Sequence, residues 1–575
     1  MFDTVIQNVK VIDGSGQDAF VADVAILDGT IQVVGKVDDT AKAVIDGTGK
    51  TLTPGFVDSH SHADWNVLAY PQNSVALAQG VTTQITGQCG QSPTPISDEY
   101  AYWGLWPDIH AFYGAEKERF ENLGDLHRFL REKYGIDEHF DTTEAFFKLW
   151  KKRGVAFNML PLTGHNNIRA IVMGQDVARP ATQDEIGQMC DMLRVELEAG
   201  YHGMSTGLDY YPGRYSQPDE LLALARVLKE HDAIYTSHVR IVQQGWDGYP
   251  FKGELCGIQE AIRIGRETGV KVHISHVLPY GYHVTEDFEA RKALDAKVIR
   301  KMLEEALSEG IDITCDVMPG ENGASYERDY MIALLLPWIK EAGGLEPFRS
   351  VLASDDFLTR LRDDVNSFKN TTLSMIWEPT LDDWLLVTHC SDTRYVGKTI
   401  REISRMMGSD HLEAICTVLR ADYHTRIYWR MGSVSPAFLK EMLAFPRAFP
   451  SCDSHSCEVG QIFGDDKMLD PGPSWLTYNF AVRFIKEFGV LRLEDTIHRM
   501  TAFPLSQHGV TDRGQIRVGM AADLVLLDEN KLDVNQDIFG EKRSPLGIEK
   551  VFVNGVCAFE HGAVTGSKSG ALLTR

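Results

Sequence analysis

Four histidines, one cysteine and one aspartate stand where a folded chain could gather them around a metal ion. His60 and His62 form a His-Ser-His triplet at the end of the apolar run GFVDSHSH. Cys89 closes TTQITGQCG, His238 lies near the end of AIYTSHVR, His276 near the end of KVHISHV, and Asp453 in FPSCDSHS. Imidazole, thiolate and carboxylate are the usual protein donors to divalent metals. Residues i and i+2 of a strand share a face, so both imidazoles of the triplet can reach one ion. Any one of these residues alone would be ordinary packing. Six metal-competent residues at the ends of five such runs are not, and they point to a metal centre.

Three further runs, AFNMLPLTGH, GYHGMSTGL and DITCDV, bring the total to eight, each apolar and ending in polar residues. Amphipathic stretches such as 182–199 and 256–269 lie between them. The pattern predicts an α/β fold: a (β/α)8 TIM barrel with large insertions, whose chemistry collects at the carboxyl ends of buried parallel strands. Two inserts, 95–140 with Trp103, Trp106 and Tyr113, and 320–440, are expected to cover the barrel mouth. The first 57 residues alternate apolar and polar positions between turns such as Asp28-Gly29 and Asp46-Gly47, and the C-terminal AADLVLLDEN and IEKVFVNGVCAF do the same. Neither half-sheet would have a core alone, so one composite β-sandwich is expected from both termini. The expected division is 1–57 and 505–575 for that sandwich and 58–504 for the catalytic domain.

Composition narrows the partners. With 81 acidic against 57 basic residues the net charge is -24, and no Lys/Arg run offers a phosphate backbone a foothold, so nucleic acid is excluded. No apolar run is long enough to span a membrane, and the N-terminus lacks the pattern of a signal peptide. Nine scattered cysteines without paired spacing fit free thiols in a reducing compartment, so the expected location is cytoplasmic. A small-molecule substrate is expected, and a homo-oligomer is left open.

TPGFVDSHSHAD resembles the first-strand signature PGFxDxHxH of the amidohydrolase superfamily. Within that superfamily the chain is similar to the N-acyl-D-amino-acid deacylase (D-aminoacylase) family. The likeness rests on GVTTQITGQCGQSPTP, LTGHNNIRAIVMG, GMSTGLDYYPGRYS, YTSHVR, EAIRIGRETGVKVHISH and MTAFPLSQHGVTDRGQIRVGMAADLVLLD. The resemblance implies a tight zinc site from Cys89, His238 and His276, and a second site from His60, His62 and Asp453. Sulfur with imidazole favours Zn2+ over magnesium or calcium. It also implies hydrolysis of an N-acyl-D-amino acid or a related acylated amine, with Asp453 as general base passing a proton to the leaving nitrogen.

A substrate carboxylate needs a clamp. Arg240, two residues after His238 and on its face of the strand, is one candidate, and Tyr210 and Lys252 are others. Arg240 could equally pair with a barrel carboxylate, and Tyr210 could cap its loop. His165 and Asp316 are expected to support the site without binding metal. Departures from the family pattern fall beside the substrate: Gln88 before the cysteine, Met318 and Gly320 after the seventh run, Ser454 and His455 after the last aspartate. They leave two alternatives standing: the same centre acting on a cyclic amide, lactone or ring-cleavage product, and a non-catalytic binding protein with a relic site. The second would show a lost ligand, and none is lost.

Overall fold

The computed structural model of the chain describes residues 1–98, 122–174, 176–208, 212–240, 254–278, 288–319, 326–327, 330–366, 385–429, 435–460, 468, 472–487 and 489–575. Strands β1 (Phe2–Val11), β2 (Phe20–Leu27) and β3 (Thr30–Gly35) make an antiparallel meander. Asp28 and Gly29 turn β2 into β3 with φ of 49° and 76°, the left-handed pair that a two-residue hairpin requires. Strands β4 (Ala41–Asp46) and β5 (Thr51–Pro54) both run parallel to β1, on different stretches of one edge, so the sheet divides there.

The next strands are the barrel: β6 (Phe56–Asp58), β7 (Val81–Thr86), β8 (Asn158–Pro161), β9 (Thr163–Gly164), β10 (Gly203–Gly207), β11 (Ile234–His238), β12 (Lys271–Ile274), β13 (Ile313–Val317) and β17 (Ala448–Pro450). Every pairing among them is parallel. β8 and β9 are one strand broken at Leu162, so the eight apolar runs are the eight strands of a TIM barrel. Their burial is nearly unbroken, as a sheet covered on both faces demands. The helices between them end where local chemistry ends them. Gln183–Ala199 starts on a Thr182/Glu185 capping box and stops at Gly200, and Glu254–Thr268 stops before Gly269.

Two places in the wall are not closed by an ordinary ladder. Between β17 and β6 the contact is a single bridge, Ser61 to Ser454, with further backbone bonds and side chains adding the rest. Between strands three and four, β10 pairs with β9 alone, and the C-terminal tail fills the gap beside β8. Met159 N donates to Ala571 O (2.9 Å) and Leu573 N to Met159 O (2.8 Å), while Arg575 N bonds Gly200 O (3.0 Å). Leu573 packs on Val57, Ile85, Leu160, Leu162, Ile234 and Leu505. The tail is part of the barrel wall.

Between β13 and β17 the chain inserts β14 (Tyr326–Glu327), then a helical unit carrying the antiparallel pair β15 (Leu385–His389) and β16 (Arg426–Trp429). This unit has its own apolar cluster, including Trp338, Phe348, Leu361, Val387 and Ile415. It docks through Leu386 and Tyr428 on Trp475, with rings 6.2 Å apart. β18 (Gly472–Pro473) pairs with β14. The helix Leu123–Tyr134 of the first insert and the helix Thr143–Arg153 just after it pack beside the barrel. Trp103, Trp106, Tyr113 and Gly320 lie outside the described residues. After the barrel, β19 (Leu524–Leu527) pairs antiparallel with β5 and is followed by β20 (Ile548–Val553), β21 (Val556–Glu560) and β22 (Ala563–Val564). Strands from both ends of the chain thus form one nine-stranded sheet. Among the described residues no helix is long and apolar enough to cross a membrane.

Two predictions follow from this packing. A Cβ on Gly570 would stand 2.0 Å from Phe157 O and 2.7 Å from Val155 O, both backbone atoms. Gly570→Ala should therefore cost about 2 kcal/mol, read as a lower denaturation midpoint, whereas a midpoint equal to wild type would show that the tail is not seated here. Glu196 is buried with Thr143 as its partner, and burial pushes its carboxyl up to about 7. Between roughly pH 4.5 and 7 the folded state then holds a proton that the unfolded chain has released. Stability should fall as pH rises through that window, and Glu196→Gln should flatten the slope in denaturation curves taken across it.

Candidate metal centre

All six candidate donors lie at the carboxyl ends of barrel strands. His60 and His62 follow β6, Cys89 follows β7, His238 ends β11, His276 follows β12 and Asp453 follows β17. Cys89 Sγ is 3.4 Å from His60 Nε2, 3.3 Å from His276 Nε2 and 3.7 Å from His238 Nδ1, and the last two nitrogens are 2.9 Å apart. Asp453 Oδ1 is 3.5 Å from His60 Nε2 and 3.2 Å from His62 Nε2. Two triads therefore have donor atoms close enough for one ion, His60/Cys89/His276 and His60/His62/Asp453. His60 belongs to both, a sharing that strand spacing gives no means of seeing. His238 joins the cysteine side.

The donors fit a cation. Asp453 Oδ1 is buried and makes no hydrogen bond among the described residues, a costly state for a carboxylate oxygen unless positive charge faces it. Burial would raise the Cys89 thiol, but His60 and His276 outweigh it and hold the thiol well below its ordinary value. Burial would likewise lower the His62 imidazole, and Asp453 beside it lifts it to about 9. A thiolate and a carboxylate among imidazoles are the charge pattern of a zinc-type site.

Three of the six positions are strained. Cys89, His276 and Asp453 have φ of 53°, 33° and 54°, left-handed values that cost an L residue on the order of 1–3 kcal/mol. Neighbouring backbone leaves them little choice. A Cβ on Gly90 would meet Gly207 N at 2.5 Å, so the loop carrying Cys89 is pressed against β10. His276 N donates to Asp316 Oδ1 (2.9 Å), and Asp453 N to His60 O (2.9 Å).

Several supporting residues were not assigned roles from sequence. Asp58 Oδ1 accepts from Cys452 N (2.9 Å) and His60 N (3.2 Å), tying the first strand to the last. Burial pushes its carboxyl up to about 7. The family signature contains this aspartate, which was the available signal. Asp316, expected as a supporting group, faces His60 Nδ1 at 3.6 Å and His273 Nε2 at 2.8 Å, and also accepts from Ser451. His273 stacks on Phe449 with centroids 5.3 Å apart and bonds Thr314 Oγ1. Its only sequence signal is the spacing in HISH. His455 stacks on His62, centroids 5.2 Å apart.

His165 pairs with Glu220 at 2.8 Å, a carboxylate that Arg169 shares. Gln88 bonds Ser59 O and Thr236, and Met318 is buried in the main core, so neither departure from the family pattern is a free substrate contact. Arg240 is buried. It bonds Glu260 (3.0 Å), Leu208 O, Arg214 O (3.0 Å) and the backbone and hydroxyl of Ser216. Of its two expected roles, this is the pairing with a barrel carboxylate. Tyr210 and Lys252 lie outside the described residues.

Comparisons with known proteins agree with this geometry. Residues 43–342, more than half of the chain, match the amidohydrolase family. The chain is 27% identical over 562 residues to an N-acyl-D-aspartate deacylase of Alcaligenes xylosoxydans xylosoxydans, covering 96% of this chain and 91% of the relative. A crystal structure of D-aminoacylase superposes with a TM-score of 0.69 at 24% identity, each chain covered in full. An N-acyl-D-glutamate deacylase from Bordetella bronchiseptica, complexed with zinc and a phosphonate inhibitor, superposes at 0.66 and 23%, again with each chain covered in full. The chain belongs to the amidohydrolase family, metal-dependent hydrolases of carbon–nitrogen amide bonds.

Proposed function

We propose that the chain is a zinc hydrolase that cleaves the amide bond of an N-acyl-D-amino acid or a related N-acylated amine. The observation that carries this reading is the convergence of His60, His62, Cys89, His238, His276 and Asp453 at one end of the barrel. The N-acyl-D-aspartate deacylase likeness along nearly the whole chain supports the substrate class, and the soft thiolate supports zinc. Cys89, His238 and His276 would hold the tight ion, and His60, His62 and Asp453 a second.

Zinc, when bound, supplies Lewis acidity: it lowers the pKa of a water toward ~7 and polarises the scissile carbonyl. The chain's own residues do the rest. Asp453 accepts the proton of the attacking water and returns it to the leaving nitrogen, so the products are a carboxylate and a free amine. His62 lies beside that carboxylate and orients it. Asp316 fixes the backbone of His276 and faces the ring of His60, so one carboxylate positions donors of both triads. Arg240 braces the loop from Leu208 to Ser216, while Tyr210 and Lys252 are the candidates to meet the substrate carboxylate.

Elemental analysis of wild type and Cys89→Ala, run beside hydrolysis of matched N-acyl-D- and N-acyl-L-amino acids, tests this reading. Wild type should carry at least one zinc and cleave a D-enantiomer, and the variant should lose the tight ion. Zinc without cleavage of any acylated amino acid ends the substrate assignment, and no uptake of zinc ends the metal assignment. Asp453→Ala should keep the tight zinc and lose turnover by on the order of a hundredfold or more. An active Asp453→Ala enzyme would remove it as the base.

A further inference from the structure

The segment after Asp453 is fixed on both sides of His455. Ser454 O accepts from His62 N (2.8 Å) and from Ser61 Oγ (3.1 Å). Ser456 N donates to Asn66 Oδ1 (3.0 Å), and its hydroxyl donates to Tyr70 O (2.5 Å). The imidazole between them has no slack: its backbone moves only if the loop after β6 moves with it.

The ring lies over His62, with centroids 5.2 Å apart and planes inclined by 22°. An imidazole nitrogen coordinates in the plane of its ring. The ring faces that of His62, and His455 is in neither set of donors close enough to share an ion, so it is not counted as a further donor beside His62. What it contributes is bulk. His60 is wholly buried, whereas His62 and His455 keep 8% and 7% of their surface and the Asp453 side chain 13%. The surface that the second triad keeps lies at His62 and Asp453, with the His455 ring stacked on the first.

We propose that His455 is a specificity-determining residue, a rigid wall beside His62 that limits the size of the group carried by the scissile carbonyl. This rests on the amide-hydrolase reading above. A carbonyl brought to the triads must run its substituent past one of their walls. Beside His62 that wall is the aromatic ring of His455 rather than a flexible chain, so short acyl groups pass and long ones meet the imidazole.

Alkyl hydroxamates test this without relying on turnover, because they chelate zinc through the same two oxygens whatever their chain length. Zinc-loaded wild type, His455→Ala and His455→Phe would be titrated calorimetrically with acetohydroxamate and octanohydroxamate, with zinc per chain measured on each sample. Wild type should prefer the short ligand. His455→Ala should shift the preference toward the long one by about tenfold, the discrimination expected of a side chain's worth of pocket volume, at unchanged zinc. His455→Phe, which restores the ring without its nitrogens, should keep the wild-type preference. An unchanged ratio in His455→Ala overturns the proposal, and so does loss of its zinc, which would make His455 only a brace for His62. If the length preference behaves as expected but no N-acyl amino acid is cleaved, the substrate reading falls and the wall stands. A wild type that takes up no zinc overturns both.

Discussion

The seam between β6 and β17 holds the first and last barrel strands together with very little ladder. Ser61 and Ser454 make one bridge, with backbone bonds from His62 N to Ser454 O and from Asp453 N to His60 O, and side chains reach across besides: Ser59 Oγ to Pro450 O, Cys452 N to Asp58 Oδ1, Asn66 Nδ2 to Ser456 O, and Cys457 N to Asn73 Oδ1. Side-chain bonds of this kind are short-range and directional, so they fix the seam to within a fraction of an ångström. His60, His62 and Asp453 sit on either side of it. Their convergence is a property of barrel closure, and a change that opened the seam would part Asp453 from His60 and His62.

The same closure explains why the centre tolerates unfavourable local energies. Three candidate donors occupy left-handed backbone, and a thiolate, two carboxylates and several imidazoles share a nearly dry volume. Strain of this sort persists only where the surrounding structure over-determines it. Here the surroundings are close-packed on every side: glycine loops against β10, Asp316 bonded to three neighbours, and the C-terminal tail wedged into the wall beside β8. A cation in the triads would lower the electrostatic part of the cost without rearranging the backbone, because the donors already face inward.

Much of this was legible in the sequence. The eight apolar runs became the eight strands because a sheet buried on both faces leaves an unmistakable composition. The six candidate donors were visible because metal-competent residues fell at the ends of five of the eight strands. The composite sheet was visible because both termini alternate with period two. What stayed hidden depends on contacts between residues far apart in the chain. Glu260, twenty residues beyond Arg240, lies on the next helix and claims its guanidinium. The tail from Gly570 to Arg575 has no strand-like alternation, yet it fills the edge that β10 leaves free. The unit between β13 and β17 has its own apolar cluster, and a count of insert length gives no hint of that.

Arg240 shows how burial decides between two chemically reasonable roles. A guanidinium offers five donors, and recognition of a substrate carboxylate needs two of them aligned and unspent. In this fold Glu260 takes the Nε side, and three backbone carbonyls with the Ser216 hydroxyl take the rest. Withdrawing any of these toward a ligand would strand a buried carbonyl, at about 1–3 kcal/mol each. The arrangement instead makes Arg240 a fixed strut that ties Leu208, just after β10, to Arg214 and Ser216.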